Sequence, residues 1–307
     1  MWTRARFVNE YVPGLFAVAI DSYDKRRAES MWREMCTIKT SAKKKEEDTI
    51  RSGLGFPVVK GEGAPIAYDT QIGGPKQNWI HKVYALGCRI TEEAIDDNLY
   101  ELNGGGEGDL KELFEDLGQS MEEGIEVEMA KFLVSGTATT YHTTRFAKAL
   151  FATDHSRLDG SSYSNKATST DLTYTTFWTN LIAAENQYNH RQHRIRMKIK
   201  NLWVPPALEK AGLEILKSTD RPDTANRAVN AYVSSGRKIG LKVWPHLTDT
   251  DAWYMQLDGK GIVFFWRRKT RFAKEGDFQT GDMMVKSDQR WSAEIGDEQS
   301  WYGNVPA

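Results

Sequence analysis

The sequence predicts an α+β protein built in the order basic arm, glycine-rich hairpin, long helix, then a mixed region ending in strands. Three observations carry this. One helical face runs through Leu110, Leu113, Phe114, Leu117, Met121, Ile125, Met129 and Phe132, at spacings of mostly three and four. Between Arg51 and Ala85, Gly53, Gly55, Pro57, Gly61, Gly63, Pro65, Gly73, Gly74 and Pro75 punctuate short β-prone pieces. Lys238–Trp244, Trp253–Leu257 and Gly261–Arg268 read as strands, and Met283–Trp301 is mostly β-like with alternating polar positions.

The 307 residues are 40% hydrophobic and 27% charged, enough for a substantial core. Lys+Arg is 41 against 42 Asp+Glu, a net charge of -1, which argues against a chain that coats DNA with its whole surface and leaves room for one basic face. Cys36 and Cys88 form neither a disulfide framework nor a zinc motif; reduced thiols or a single bridge between them are both open. No signal peptide opens the chain, and no apolar run reaches the ~18 residues of a membrane span, so cytosolic synthesis and no membrane association are expected.

Met1 to Lys45 holds ten Lys/Arg and five Asp/Glu and reads as an extended arm with a short helix around Ser22 to Cys36. The hairpin that follows is too poor in apolar residues to bury a core of its own, so it must lie on the body or on a partner. Thr91 caps a helix running to Leu102, stopped by Asn103-Gly104-Gly105-Gly106. The long helix opens at Asp109 and ends at Gly136, roughly 40 Å at 1.5 Å per residue. Its other face carries Glu112, Glu115, Asp116, Glu122, Glu123, Glu126 and Glu128, either a solvated face or one meeting a basic segment. Tyr174 to Asn189 reads as a helix, Arg191 to Lys200 as a basic strand leading into Trp203, and Pro206 as the first turn of another helix.

No phosphate loop, dinucleotide fingerprint, nucleophile elbow or metalloprotease motif is present. Asp154-His155 has no local partner that would complete a triad. His190 and His193 lie among arginines that repel a cation, and the aspartates Asp96, Asp97, Asp249 and Asp251 read as turn caps. No cofactor, metal or catalytic residue is therefore expected. The basic runs, Arg191 to Lys200 and Arg267-Arg268-Lys269 with Arg271, remain as surfaces for phosphate or for acidic neighbours.

The order of elements resembles the major capsid protein of tailed bacteriophages, the Hong Kong 97-type fold. Arg89-Ile90-Thr91-Glu92-Glu93-Ala94-Ile95-Asp96-Asp97 resembles the return from the extended loop, and Phe132-Leu133-Val134-Ser135-Gly136-Thr137 the end of the spine helix. Ala149-Leu150-Phe151-Ala152-Thr153-Asp154-His155, Leu202-Trp203-Val204-Pro205-Pro206-Ala207-Leu208-Glu209 and Pro245 to Tyr254 are similar to the Mu-like major head subunit branch. The resemblance implies an N-terminal arm (1–47), an extended loop (48–86), a peripheral domain (87–171) with the spine helix at 109–135, an axial domain (172–269) and a return to the peripheral domain (270–307). It implies self-assembly into pentamers and hexamers of an icosahedral head enclosing double-stranded DNA, made in the host cytoplasm and located in the virion. Partners would be scaffolding and portal proteins and a cementing or decoration protein; because the arm begins at Met1, the scaffold is expected to be a separate protein.

Trp79, Lys60, Lys76, Glu122, Glu126, Arg191, Arg194, Arg196, Arg267 and Arg268 are the residues expected at contacts between subunits. No sequence identifies an acceptor for an isopeptide from Lys60 or Lys76, so non-covalent contacts are expected. The alternatives are an encapsulin-type compartment, an oligomeric hydrolase using Asp154 and His155, and a nucleic-acid-binding module using Arg191 to Lys200.

Overall fold

The computed structural model describes residues 12–93, 109–168, 170–220, 228–277 and 279–305. Helix α1 (Val12–Glu29) leads through the single turn α2 (Trp32–Met35) to β1 (Cys36–Thr40). A hairpin of β2 (Lys45–Arg51) and β3 (Gly73–Ile80) follows, and β3 passes through one residue into β4 (Lys82–Ile90). Next come α3 (Asp109–Val134), the small pair β5 (His155–Ser156) and β6 (Ser162–Tyr163), and α4 (Tyr174–Glu185). The chain ends with β7 (Ile199–Val204), α5 (Glu209–Lys217), α6 (Ala231–Ser234), β8 (Gly240–Val243), β9 (Trp253–Leu257), β10 (Ile262–Gly276), β11 (Met283–Ile295) and β12 (Trp301–Asn304).

Two four-stranded sheets organise the body. The first has the order β1-β10-β11-β4, with β1 parallel to β10 and the other pairs antiparallel. The amphipathic face anticipated for α3 packs on β4 and β11, and α1 lies along α3. Gly118 sets how closely these helices meet: a Cβ there would lie 2.2 Å from the Ala19 carbonyl oxygen. Ser22 Oγ donates to the Glu115 carbonyl across the same seam (3.0 Å).

The second sheet has the order β12-β9-β7-β8. One of its faces packs Leu202, Val204 and Met255 against Phe177 and Leu181 of α4. Trp203, Tyr254 and Trp301 join the other cluster, with Ile125, Met129 and Leu133 of α3 and Phe264 and Trp291 of the first sheet. The far end of α3 is therefore the common core element of both sheets. Helix α4 begins at a capping box in which Thr173 and Thr176 bond reciprocally.

Several expectations are corrected. The arm helix is Val12–Glu29, not Ser22 to Cys36, and Cys36 opens a strand. Phe16 to Ile20 are apolar all round, so α1 lacks the periodicity that would have marked it. The hairpin pairs Lys45–Arg51 with Gly73–Ile80, and Phe56 to Val59 and Ile66 to Tyr68 are irregular. Only Ile199 onward is strand; Arg191 to Lys198 runs as a turn and coil joined by a bridge between Tyr188 and Arg194. A border between 269 and 270 would cut through β10, which belongs to the first sheet from Ile262, and β12 lies in the second sheet, not the first. Of the helix expected at Thr91–Leu102, Glu92 and Glu93 are helical, while Ala94 to Leu102, with Asp96, Asp97 and the Asn103–Gly106 stop, lie outside the described residues.

Candidate functional site

The candidate site is the loop carried by β2 and β3. Its tip, residues 52–72, exposes Leu54, Phe56, Val58, Val59, Ile66, Tyr68 and Ile72; Phe56 is 73%, Tyr68 88% and Val59 100% exposed. The loop is therefore not poor in apolar side chains, as its sequence suggested: it has them and leaves them uncovered. So many exposed apolar side chains on one loop mark an interaction surface.

Two anchors hold the loop. At its root, His81 is buried between Ser41 Oγ (3.1 Å) and Ser292 Oγ (2.9 Å). Beside it the Trp79 indole N–H donates to the Val263 carbonyl (3.0 Å) and its ring meets Phe265 edge-on. Asp48 of β2 lies 3.6 Å from the buried Arg145 guanidinium and 3.4 Å from Lys260 Nζ, tying the other strand to the body.

Higher up, Arg191 reaches across the loop's neck. Its Nη1 donates to Asp69 (2.5 Å), its Nε to Ser52 Oγ (3.0 Å), and its Nη2 to the Thr70 carbonyl. Ser52 and Ile72 bond each other, and the Gly55 N–H donates to Asp69 (2.6 Å). The Gly55 N–H, then Arg191, holds the Asp69 carboxyl below its usual range. Phe56 stacks on His193, with centroids 3.8 Å apart.

The expected contact residues divide sharply. Lys60 and Arg196 are exposed, Lys76 pairs with Glu47 at 3.5 Å, and Arg194 lies over the Tyr188 ring while donating to Asn186. Arg267 is exposed, whereas Arg268 and Arg271 both pair with Asp288. Trp79, Glu122 and Glu126 are buried inside the chain and cannot meet a neighbour; the two glutamates are 0% and 4% exposed. Glu126 accepts from the Met31 N–H (2.8 Å), the Trp32 N–H (3.0 Å) and the Trp244 indole (3.1 Å). Glu122 accepts from the Trp32 indole (2.8 Å) and Ser30 (2.9 Å) and pairs with Arg33 (3.3 Å). These acids join the arm to α3 and are no solvated face. Arg191 likewise works within the chain, as the clamp above.

The hydrolase constellation is not assembled. His155 is fully buried, its Nε2 bonded to Asn165 (3.0 Å) and the Leu150 carbonyl (3.2 Å), and burial pushes its pKa down. Asp154 instead faces solvent and pairs with Lys148 (2.5 Å). Asn165 makes this a structural knot, since its amide also reaches the Glu298 and Trp301 carbonyls. Among the described residues no group of three or more His, Cys, Asp and Glu could hold a metal, and no helix is long and apolar enough to cross a membrane. Cys36 and Cys88 are free thiols, which decides against the bridge. The anchors Ser52, Asp69, His81 and Arg145 had no local sequence signal, because each partner lies far along the chain.

A profile of the phage capsid protein family matches residues 80–302, well over half of the chain. No curated protein matches by sequence. Among solved structures, the capsid of cyanophage P-SCSP1u is similar with a TM-score of 0.58 at 10% identity, over 91% of this chain and 88% of that one. A chain of Microbacterium phage Oxtober96 is similar at 0.55 and 10% identity, over 91% of both. The virus-like particle of Pyrococcus furiosus is similar at 0.51 and 10% identity, over 96% of this chain and 100% of that one. The structural likenesses establish the Hong Kong 97-type fold. The chain belongs to the phage capsid protein family. As a member of that family it is a major capsid protein, a structural component of the virion's head shell and not an enzyme. The match does not single out the Mu-like branch.

Proposed function

We propose that copies of this chain form pentameric and hexameric capsomers that enclose double-stranded DNA, each copy laying its extended loop over the next. The exposed apolar tip carries this reading. Burying one side chain of the size of Phe56 or Val59 contributes about 1.5–3 kcal/mol; Val59 is fully exposed, and Phe56, with one face on His193, is still 73% exposed. The first sheet with α1 and α3 takes the peripheral role, and the second sheet with α4 and α5 the axial one around the capsomer axis. Scaffolding and portal proteins, with a cementing protein, are the further partners, and assembly takes place in the host cytoplasm.

Negative-stain electron microscopy of the expressed protein, alone and with the products of neighbouring genes, tests this. Closed particles or tubes tens of nanometres across are expected, and a discrete small oligomer under both conditions refutes it. A variant with Gly53 to Pro75 deleted is expected to stay soluble and fail to close shells; normal particles from it would remove the role given to the loop. Small particles filled with a protein cargo would instead favour an encapsulin-type compartment.

A further inference from the structure

From Gln192 to Lys200 the chain alternates exposed and covered residues, and Arg194, Arg196, Lys198 and Lys200 are all exposed. The six residue steps from Arg194 to Lys200 span at most about 20 Å at ~3.3 Å per residue. Arg194, Arg196, Lys198 and Lys200 have no acidic partner among the described residues; the Arg194 guanidinium donates to Asn186 and lies over the Tyr188 ring. Lys198 also lines a cleft of about 500 Å³ together with Arg237, the exposed Lys238 and Glu185. The acids nearby are few: Glu185 is taken by Arg237 (2.6 Å), Glu34 by Lys242, and Asp258 stands beside Lys198.

We infer that this row is a nucleic-acid contact that binds backbone phosphates without reading bases. Each DNA strand presents one charge per ~3.4 Å of axis, so four cations within about 20 Å can engage one backbone continuously. The competing partner is an acidic stripe on another copy; on the acidic face of α3, Glu112 and Asp116 are exposed without an ion pair among the described residues, and the other acids are engaged. Glu115 pairs with Lys111, Glu123 with Arg26 and His246, Glu128 with Lys131, and Glu122 and Glu126 are buried. The other basic run is also partly spent, since Arg268 and Arg271 share Asp288. The inference rests on the shell reading only in naming the polyanion as enclosed DNA, and it reassigns Arg194 and Arg196 away from contacts between subunits.

The test is binding of a fluorescent 30-bp duplex to the full-length chain as subunit or capsomer, across a salt series. The variant R194Q/R196Q/K198Q/K200Q is compared with the charge-keeping R194K/R196K, and every preparation is imaged for particles. At about −0.9 per phosphate contact, the neutral variant is expected to lose three to four units of the log–log salt slope. R194K/R196K is expected to bind like the parent, and particles to form throughout. If the quadruple variant misfolds, R194Q/R196Q and K198Q/K200Q should each remove about two units of the slope, half of the loss expected of the four. Parent and neutral variants with the same slope, or a parent that binds no duplex, would overturn the inference. So would neutral variants that keep binding and lose only particle formation, which would assign the row to a neighbouring copy. Particles with a row-independent slope leave the shell reading standing, and no particles with a row-dependent slope leave the inference standing.

Discussion

Replacing Glu126 tests whether the arm is an integral part of the subunit. Its two oxygens serve three donors, the Met31 and Trp32 N–H groups and the Trp244 indole, in a site closed to water. A buried donor left without an acceptor costs about 1–3 kcal/mol. In Glu126→Ala all three lose their acceptor, and some relaxation is expected, so a loss of about 3–5 kcal/mol follows. That is a large part of a typical stability of about 5–15 kcal/mol. In Glu126→Gln, Oε1 still serves Met31 and Trp244, while the new amide faces the Trp32 N–H, so one donor is orphaned and about 1–3 kcal/mol is lost. Urea denaturation of unassembled subunits gives the order parent, Gln, Ala. Hydrogen exchange adds that protection falls first in residues 12–35, the segment these bonds attach to α3. An Ala variant with the parent's midpoint and unchanged exchange in that segment would refute this account of the junction.

Other outcomes follow from the same packing. Gly118→Ala is expected to destabilise by about 1–3 kcal/mol by pushing α1 off α3. Gly124→Ala, with nothing within 4 Å of the new methyl, is expected to stabilise by about 0.5–1 kcal/mol, and thermal melts of both distinguish close approach from helix propensity. Burial and the nearby Arg145 and Arg157 push the His190 pKa down to about 4, and burial lowers that of His155. The unfolded chain takes up protons near pH 6.5 that the folded one refuses. This contribution is therefore complete above about pH 6.5 and is lost as pH falls toward 4, by ~1.4 kcal/mol per pH unit for each proton. Denaturation midpoints of His190→Gln against pH should show a shallower acid slope than the parent. Asp69→Asn is expected to speed hydrogen exchange in residues 52–72 while leaving that of α3 unchanged; unaltered exchange in the loop would show that Arg191 does not restrain it.

What the sequence made legible was repetitive. The face of α3 repeats every three to four residues over 26 residues, and its observed span, Asp109–Val134, agrees closely with the expected one. The strands β8 and β9 fall within stretches that read as strands, and the alternating polar positions of β11 marked it. What stayed hidden depended on single distant partners. Glu126 reads as a surface acid because its donors lie 94 to 118 residues away, and a carboxylate in sequence looks the same whether water or indole bonds it. Arg191 and Asp69 are 122 residues apart, so no local pattern could join them. The second-sheet place of Trp301–Asn304 is set by pairing with β9, which a run of strand residues cannot specify.

The passage of β3 into β4 through His81 makes the loop a lever with a very short fulcrum. Its eight-residue strand extends roughly 26 Å at ~3.3 Å per residue, so a ten-degree turn at the root carries the far end about 4–5 Å. The fulcrum belongs to the first sheet, while Arg191 tethers the lever from the turn that leads into the second. Any rotation of one sheet against the other is thus converted into a new heading for the apolar tip. A single sequence can in this way aim the same loop differently wherever the local curvature of its surroundings changes.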